Sequence, residues 1–204
     1  HYPLRRQRQM CIRDRAWVGV STGITQLMSP GVSAIIFLVG ATAMMFAIHK
    51  TRHSATGVML LLAFTFFMGL MLSRMIGYVL GFSNGTGLIM TAFAGTAGVF
   101  FGMATLATVV KRDLTGLSRF LTVGALIVLV AGLINIFVQS TAAMLAISVA
   151  VMAIFSLFIM IDVKRILDGG EDNYVMATLS IYLNLYNVFQ SLLMLLTSFG
   201  GERD

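Results

Sequence analysis

The stretch that decides the fold runs from Ile161 to Leu196, IDVKRILDGGEDNYVMATLSIYLNLYNVFQSLLMLL. It begins with charged residues and continues as a leucine-rich segment that carries amides and hydroxyls at helical spacing. These polar residues share one face of a helix: Ser180, Asn184, Asn187 and Ser191. Polar groups inside a membrane are costly and need a partner. We therefore predict a helix inside a bundle, with this polar face turned to protein or water.

The composition of the whole chain is typical of a membrane protein. Of its 204 residues, 58% are hydrophobic and 11% are charged, and the mean hydropathy is +0.91, far from the averages of soluble domains. Apolar runs long enough to cross a bilayer alternate with short polar connections. The sequence predicts an all-α, polytopic membrane helix bundle in the lipid bilayer, a single transmembrane domain over residues 16–204 with about seven spans.

The first fifteen residues, HYPLRRQRQMCIRDR, are interpreted as foreign to the natural protein. With one choice of codons, residues 1–14 read as a common transposon sequencing adapter, joined to a first helix whose front is truncated. A genuine basic N-terminal arm is the alternative. Residues 1–15 hold five arginines and one aspartate, so they supply +4 of the formal net charge of +6, and they contain the one cysteine, Cys11. The basic balance therefore indicates no nucleic-acid partner, and neither a disulfide nor a zinc site is predicted.

Seven apolar segments are predicted as spans, and residues 163–173 as the longest loop between them. In order, the spans cover residues 16–28 (truncated), 32–48, 55–80, 86–110, 117–138, 142–161 and 174–199. Basic residues fall on alternate connections: Lys50 and Arg52, Lys111 and Arg112, Lys164 and Arg165. By the positive-inside rule these connections are cytoplasmic, and the C-terminal tail at residues 200–204 is external.

Asp162 and Asn184 are the candidate site residues. Asp162 ends an apolar run and precedes Lys164, so it is either a hydrated carboxylate that pairs with a neighbouring cation or a titratable gate at the cytoplasmic mouth. Asn184 is expected about 10 Å inside the last span, where it either faces Asp162 or, like Asn187, joins helices by hydrogen bonds. If the two face each other, the amide donates to the carboxylate and favours its charged form.

Other polar residues give weaker signals. His49 and His53 are one helical turn apart but lack a third metal ligand. Arg74 lies within an apolar span, and we expect its side chain to extend towards the membrane surface. No hydrolase, metalloprotease or phosphate-loop motif occurs, so no catalytic residue is assigned and the protein is predicted not to be an enzyme.

Several segments resemble the Bax inhibitor-1 family, also called the transmembrane Bax inhibitor motif family, in its bacterial branch. They are GGEDNYVMATLSIYLNLYNVFQSLL at residues 169–193, SLFIMID at 156–162 and GLINIF at 132–137. The resemblance covers residues 16–204 and is most specific over 156–197. It implies a seven-helix fold whose last helix is central, in a bacterial inner membrane. It also implies a pH-sensitive Ca²⁺ leak, gated near the cytoplasmic side by two aspartates that share a proton.

This sequence departs from that pattern at one of the two positions. Asp162 matches the first aspartate, but Asn184 stands where the second is expected, so the coupled titration of two carboxylates is lost. The nearest counterparts of the family arginine that latches the pair are Lys50 and Arg52, and Arg74 replaces a usual proline. The resemblance implies Ca²⁺ as a transported ion and no cofactor. The alternative hypothesis is a non-transporting modulator of membrane protein quality control that acts through a membrane-bound protease.

Overall fold

The computed structural model describes residues 30–201, with side chains from residue 38 onwards. These residues form six helices: α1 (Pro30–Thr51), α2 (Ala55–Val79), α3 (Gly85–Val109), α4 (Thr115–Val138), α5 (Thr141–Leu167) and α6 (Tyr174–Gly200). Because residues 30–201 contain no strand, the predicted all-α class is confirmed. The predictions for residues 1–15, for the truncated span at 16–28 and for residues 202–204 lie outside this range.

Five of these helices, α2 to α6, are long and apolar enough to cross a membrane. Their outer surfaces carry large apolar side chains that a soluble protein would bury. Phe120 is 74% exposed and Phe137 is 76% exposed, both on α4. Exposed apolar surface of this extent marks contact with lipid. The predicted polytopic membrane bundle is therefore confirmed.

The end of α5 differs from its prediction. The apolar run stops at Ile161, but the helix continues to Leu167, so the loop predicted at residues 163–173 shortens to 168–173. Two features explain the extra turns. Lys164 and Asp168 form an ion pair one turn apart (Nζ–Oδ2, 2.9 Å), and cations in the last turn interact favourably with the helix dipole. Gly169, at φ 70°, then ends the helix in the left-handed conformation that glycine adopts without strain.

The last helix lies between three others. Within the compact unit of residues 40–204, α6 packs most extensively against α5, and also against α3 and α2. An apolar cluster joins α6 to α2 and α3: Val79, Leu88, Ala92, Phe189 and Leu193. A Cβ at Gly95 of α3 would lie 2.5 Å from Leu192 Cδ2 of α6, so glycine permits this close approach. These contacts hold α6 inside the bundle.

Both ends of α6 are tied to distant connections by amide side chains. At its start, Asn173 Nδ2 donates to the Arg52 carbonyl at 2.8 Å. At its end, Asn84 Nδ2 donates to the Gly200 carbonyl at 2.5 Å. Each bond spans more than a hundred residues of sequence, so the position of α6 relative to the α1–α2 and α2–α3 connections is fixed at both membrane surfaces.

Candidate functional site

Asp162 and Asn184 meet between the two most extensively packed helices. The Asn184 Nδ2 donates to Asp162 Oδ2 at 2.7 Å, from α6 to α5. Asn184 is 6% exposed, whereas Asp162 is half-buried. Asp162 lies five residues before the end of α5, and Asn184 lies ten residues after the start of α6. At 1.5 Å per residue, Asn184 is about 15 Å from the start of its helix.

The charged groups that act on Asp162 come from the end of its own helix and from the loop after it. They are Arg165, less than one turn further along α5, and Glu171. Neither Lys50 nor Arg52, the two candidate latch residues, forms an ion pair with Asp162 within residues 38–201. Lys50 is exposed, and Arg52 Nε donates to His53 Nε2 at 3.1 Å. In this structure the direct contact to Asp162 is therefore made by the Asn184 amide.

The other members of the polar face do not share the role of Asn184. Asn187 donates to the Leu183 carbonyl of its own helix at 2.7 Å, so it does not join α6 to a neighbour through this amide. Ser191 is buried, and Ser180 is half-buried. The face is turned into the bundle, as its spacing predicts, and Asn184 is the member that carries the bond to the Asp162 carboxylate.

Tyr182 anchors α6 on its other side at almost the same level. Its hydroxyl donates to the Thr65 carbonyl of α2 at 3.2 Å, and its ring packs edge-on against Phe64. The phenol ring and the Asn184 amide are two residues apart on α6. They link the same turn of this helix to α2 and to α5.

Asn173 is a structural residue that the sequence reading missed. Its Oδ1 accepts from the Met176 backbone N–H at 3.0 Å and caps α6, while its Nδ2 donates to the Arg52 carbonyl and lies 3.4 Å from His53 Nδ1. An asparagine just before a long apolar segment is a recognisable N-cap signal. The link to residues 52 and 53 has no local signal, because it depends on how the connections pack.

The remaining candidates are at the surface. His49 and His53 are exposed, as is Arg74, which lies in the last two turns of α2. Its expected extension towards the membrane surface stays a prediction. Within residues 38–201, no group of three or more His, Cys, Asp or Glu side chains is arranged to hold a metal ion.

The chemistry available at the Asp162–Asn184 contact is that of one carboxylate and one amide. Asp162 is the ionisable member of the pair, and the amide N–H satisfies one of its oxygens. A pair of carboxylates at this distance would share a proton because both cannot ionise at low cost. With Asn184 in place, the contact holds α5 and α6 together without such sharing.

A helix bundle with five apolar spans and an inward polar contact defines the class of polytopic helical membrane proteins. Residues 15–201 match the family described as "Inhibitor of apoptosis-promoting Bax1". The chain therefore belongs to the Bax inhibitor-1 family, as its segments at 132–137, 156–162 and 169–193 indicated.

Relatives agree with this assignment. The chain is 43% identical to an uncharacterized protein of Neisseria meningitidis serogroup A, over 76% of this chain and 68% of the relative. It is 38% identical to the Escherichia coli K12 protein named "Modulator of FtsH protease YccA", over 86% of this chain and 80% of the relative. The same figures hold for the Escherichia coli O6:H1 relative named "Inner membrane protein YccA". With its apolar helices, the chain is an integral membrane protein of the bacterial inner membrane.

Proposed function

We propose that this protein is a cation leak, conducting Ca²⁺, whose closed state is held by the hydrogen bond between Asp162 and Asn184. The observation that carries the proposal is the 2.7 Å bond itself, which joins α5 to α6 through a buried amide and a half-buried carboxylate. A hydrated cation does not pass between two atoms at that distance. If α5 and α6 separate at this level, a path for cations opens between them, and Asp162 lies on that path.

The ligands at the contact suit passage better than storage of an ion. Ca²⁺ takes six to eight oxygen ligands when it is bound stably. Here the opened contact offers the Asp162 carboxylate and the Asn184 amide oxygen. One negative charge at the edge of low dielectric attracts a cation, and a small ligand set lets it leave.

Because residue 184 is an asparagine and not a second carboxylate, the Ca²⁺ flux is expected to respond weakly to pH near neutrality. A shared proton between two aspartates makes a switch at physiological pH because the two charges repel. Asn184 does not titrate, and its donated hydrogen bond favours the charged form of Asp162. The pH-sensing role that the family resemblance implies is therefore reduced in this chain.

Ca²⁺ flux into liposomes that contain the full-length protein tests the proposal. Native protein is expected to admit Ca²⁺ between pH 6 and 8, and Asp162→Asn is expected to lower the rate several-fold because the path loses its charge. Asp172→Asn is the matched control, since Asp172 is an exposed loop carboxylate and its removal should leave the rate unchanged. Absence of flux from native protein across this pH range, or equal rates for native and Asp162→Asn, would refute the leak.

A second candidate function is modulation of a membrane-bound protease without transport. The observation that favours it is the relative at 38% identity that is named a modulator of the FtsH protease. In this case the outer surface of the bundle makes the relevant contacts, and the Asp162–Asn184 bond serves stability alone.

Co-reconstitution with the membrane protease of the same host distinguishes the two functions. Under the modulator hypothesis, native protein changes the degradation rate of a membrane substrate, and Asp162→Asn changes it by the same amount. An unchanged degradation rate in the presence of native protein would eliminate this candidate. Flux that depends on Asp162 together with an unchanged degradation rate would favour the leak.

A further inference from the structure

A cavity of about 230 Å³ lies where α3 connects to α4 and where α5 ends, and its lining includes neither Asp162 nor Asn184. Its wall contains two cations, two carboxylates and two hydroxyls: Lys164, Arg165, Asp113, Asp168, Thr115 and Ser118. Leu114, Ile161 and Gly170 complete the lining. Charges of both signs beside apolar side chains around one small space suggest a ligand that is itself zwitterionic and amphipathic.

The cavity lies at the level of the membrane surface. Lys164 and Arg165 occupy the last turn of α5, and Thr115 begins α4, two helices that are long and apolar enough to span the bilayer. Just beyond the cations, Leu167 is 58% exposed. A ligand whose head enters the cavity can therefore keep an apolar chain in the adjacent hydrocarbon.

The cations of the wall are available to a ligand. Arg165 has no ion pair within residues 38–201, and its side chain lies over Gly170, where a Cβ would be 3.2 Å from Arg165 Cγ. Lys164 pairs with Asp168 one turn along the same helix. The Lys164 side chain is 15% exposed and the Asp168 side chain is 58% exposed, so a ligand that enters from the Asp168 side can compete for the Lys164 ammonium.

The Asp113 carboxylate of the wall is held in place by hydrogen bonds. Asp113 Oδ1 accepts from the Thr115 hydroxyl at 2.6 Å and from the Thr115 backbone N–H at 2.9 Å. These hydrogen bonds lower the pKa of Asp113 below its ordinary value, so the carboxylate stays ionised at neutral pH. Asp168 is 58% exposed and becomes free when Lys164 turns to a ligand.

We propose that this cavity binds the phosphoethanolamine headgroup of a phospholipid. The phosphate contacts Arg165 and Lys164 by charge-assisted hydrogen bonds, and the primary ammonium donates to the carboxylates of Asp113 and Asp168. An anionic headgroup without an amine would meet two uncompensated carboxylates. A choline headgroup has no N–H to donate to them. The ammonium and the phosphate together match the wall.

Native mass spectrometry of the full-length protein, released from micelles that contain equal amounts of three phospholipids, tests this assignment. The lipids share their acyl chains and carry ethanolamine, choline or glycerol headgroups. The ethanolamine lipid is expected to be retained at least about tenfold more than the other two, which is about 1.4 kcal/mol. Arg165→Gln should lower its retention about tenfold, whereas Lys111→Gln, a loop cation outside the cavity, should change it by less than about twofold.

A second variant shows whether the loss of lipid retention in Arg165→Gln could come from misfolding instead. Asp168→Asn removes one carboxylate and frees Lys164, so retention should shift from the ethanolamine lipid towards the glycerol lipid, a gain that an unfolded protein does not show. Equal retention of the three lipids by native protein, or equal effects of Arg165→Gln and Lys111→Gln, would overturn the proposal. So would soluble glycerophosphoethanolamine that binds as tightly as the lipid, because the ligand would then not be a membrane component.

Discussion

Asp162 and Asp113 are both held by hydrogen-bond donors, but the donors come from different parts of the chain. Asp162 accepts from an amide on another helix, 22 residues away. Asp113 accepts from Thr115, two residues ahead in the same exposed connection. The first bond couples two helices inside the bundle, whereas the second orders the start of one helix. The same carboxylate chemistry thus joins two helices in one place and orders the residues that precede a single helix in the other.

Loss of the donor to Asp162 is expected to have the largest effect on stability. Asn184→Ala leaves a half-buried carboxylate without its partner, at a cost of about 1–2 kcal/mol. Asn187→Ala is the matched control, because Asn187 bonds to its own helix and lies on the same face. The free energy of unfolding in bicelles measures both variants. If both variants lose the same free energy of unfolding, the hydrogen bond to Asp162 contributes no more to stability than the intrahelical bond of Asn187.

The second prediction separates the two bonds of Asn173, an amide that also joins distant parts of the chain. Asn173→Ala removes the cap of α6 and the tie to Arg52 together, at a cost of about 1–2 kcal/mol. Asn173→Ser keeps a capping hydroxyl but loses the tie, so it should recover about half of that cost. Hydrogen exchange of the Met176 amide reports the cap directly. If the Met176 amide exchanges as fast in Asn173→Ser as in Asn173→Ala, the serine does not restore the cap and the proposed separation of cap and tie is wrong.

The smallest effect is expected at Asp113, where the bond is local and exposed. Thr115→Val removes the hydroxyl donor, so the pKa of Asp113 should rise towards its ordinary value. Because the native pKa of Asp113 is lowered, its hydrogen bonds with Thr115 stabilise the folded state above about pH 4, and this contribution is lost as the pH falls further. An NMR titration of the Asp113 carboxyl group measures the change. A pKa that does not move would assign the lowering first to the Thr115 backbone N–H, which valine retains, and then to Arg119.

The sequence predicts the repeating features of this protein better than its individual contacts. The helical class, the order of the spans and the inward face at Ser180 to Ser191 follow from hydropathy and from a period of 3.6 residues. The end of α5 does not, because Lys164 and Asp168 extend the helix through a pair that hydropathy does not register. The sequence also leaves open whether Asn184 faces Asp162 or joins helices as Asn187 is expected to do. The two asparagines are the same residue type on one face, and the packing of α5 decides which amide meets a carboxylate.

The measurement that tests the central claim most directly is Ca²⁺ flux against pH for native protein and for Asn184→Asp, in liposomes of matched composition. If Asp162 and residue 184 form the contact that closes the path, native flux should vary little between pH 6 and 8. Asn184→Asp should create a carboxylate pair that shares a proton, and its flux should change steeply within that range. Identical pH profiles for the two proteins would contradict the account.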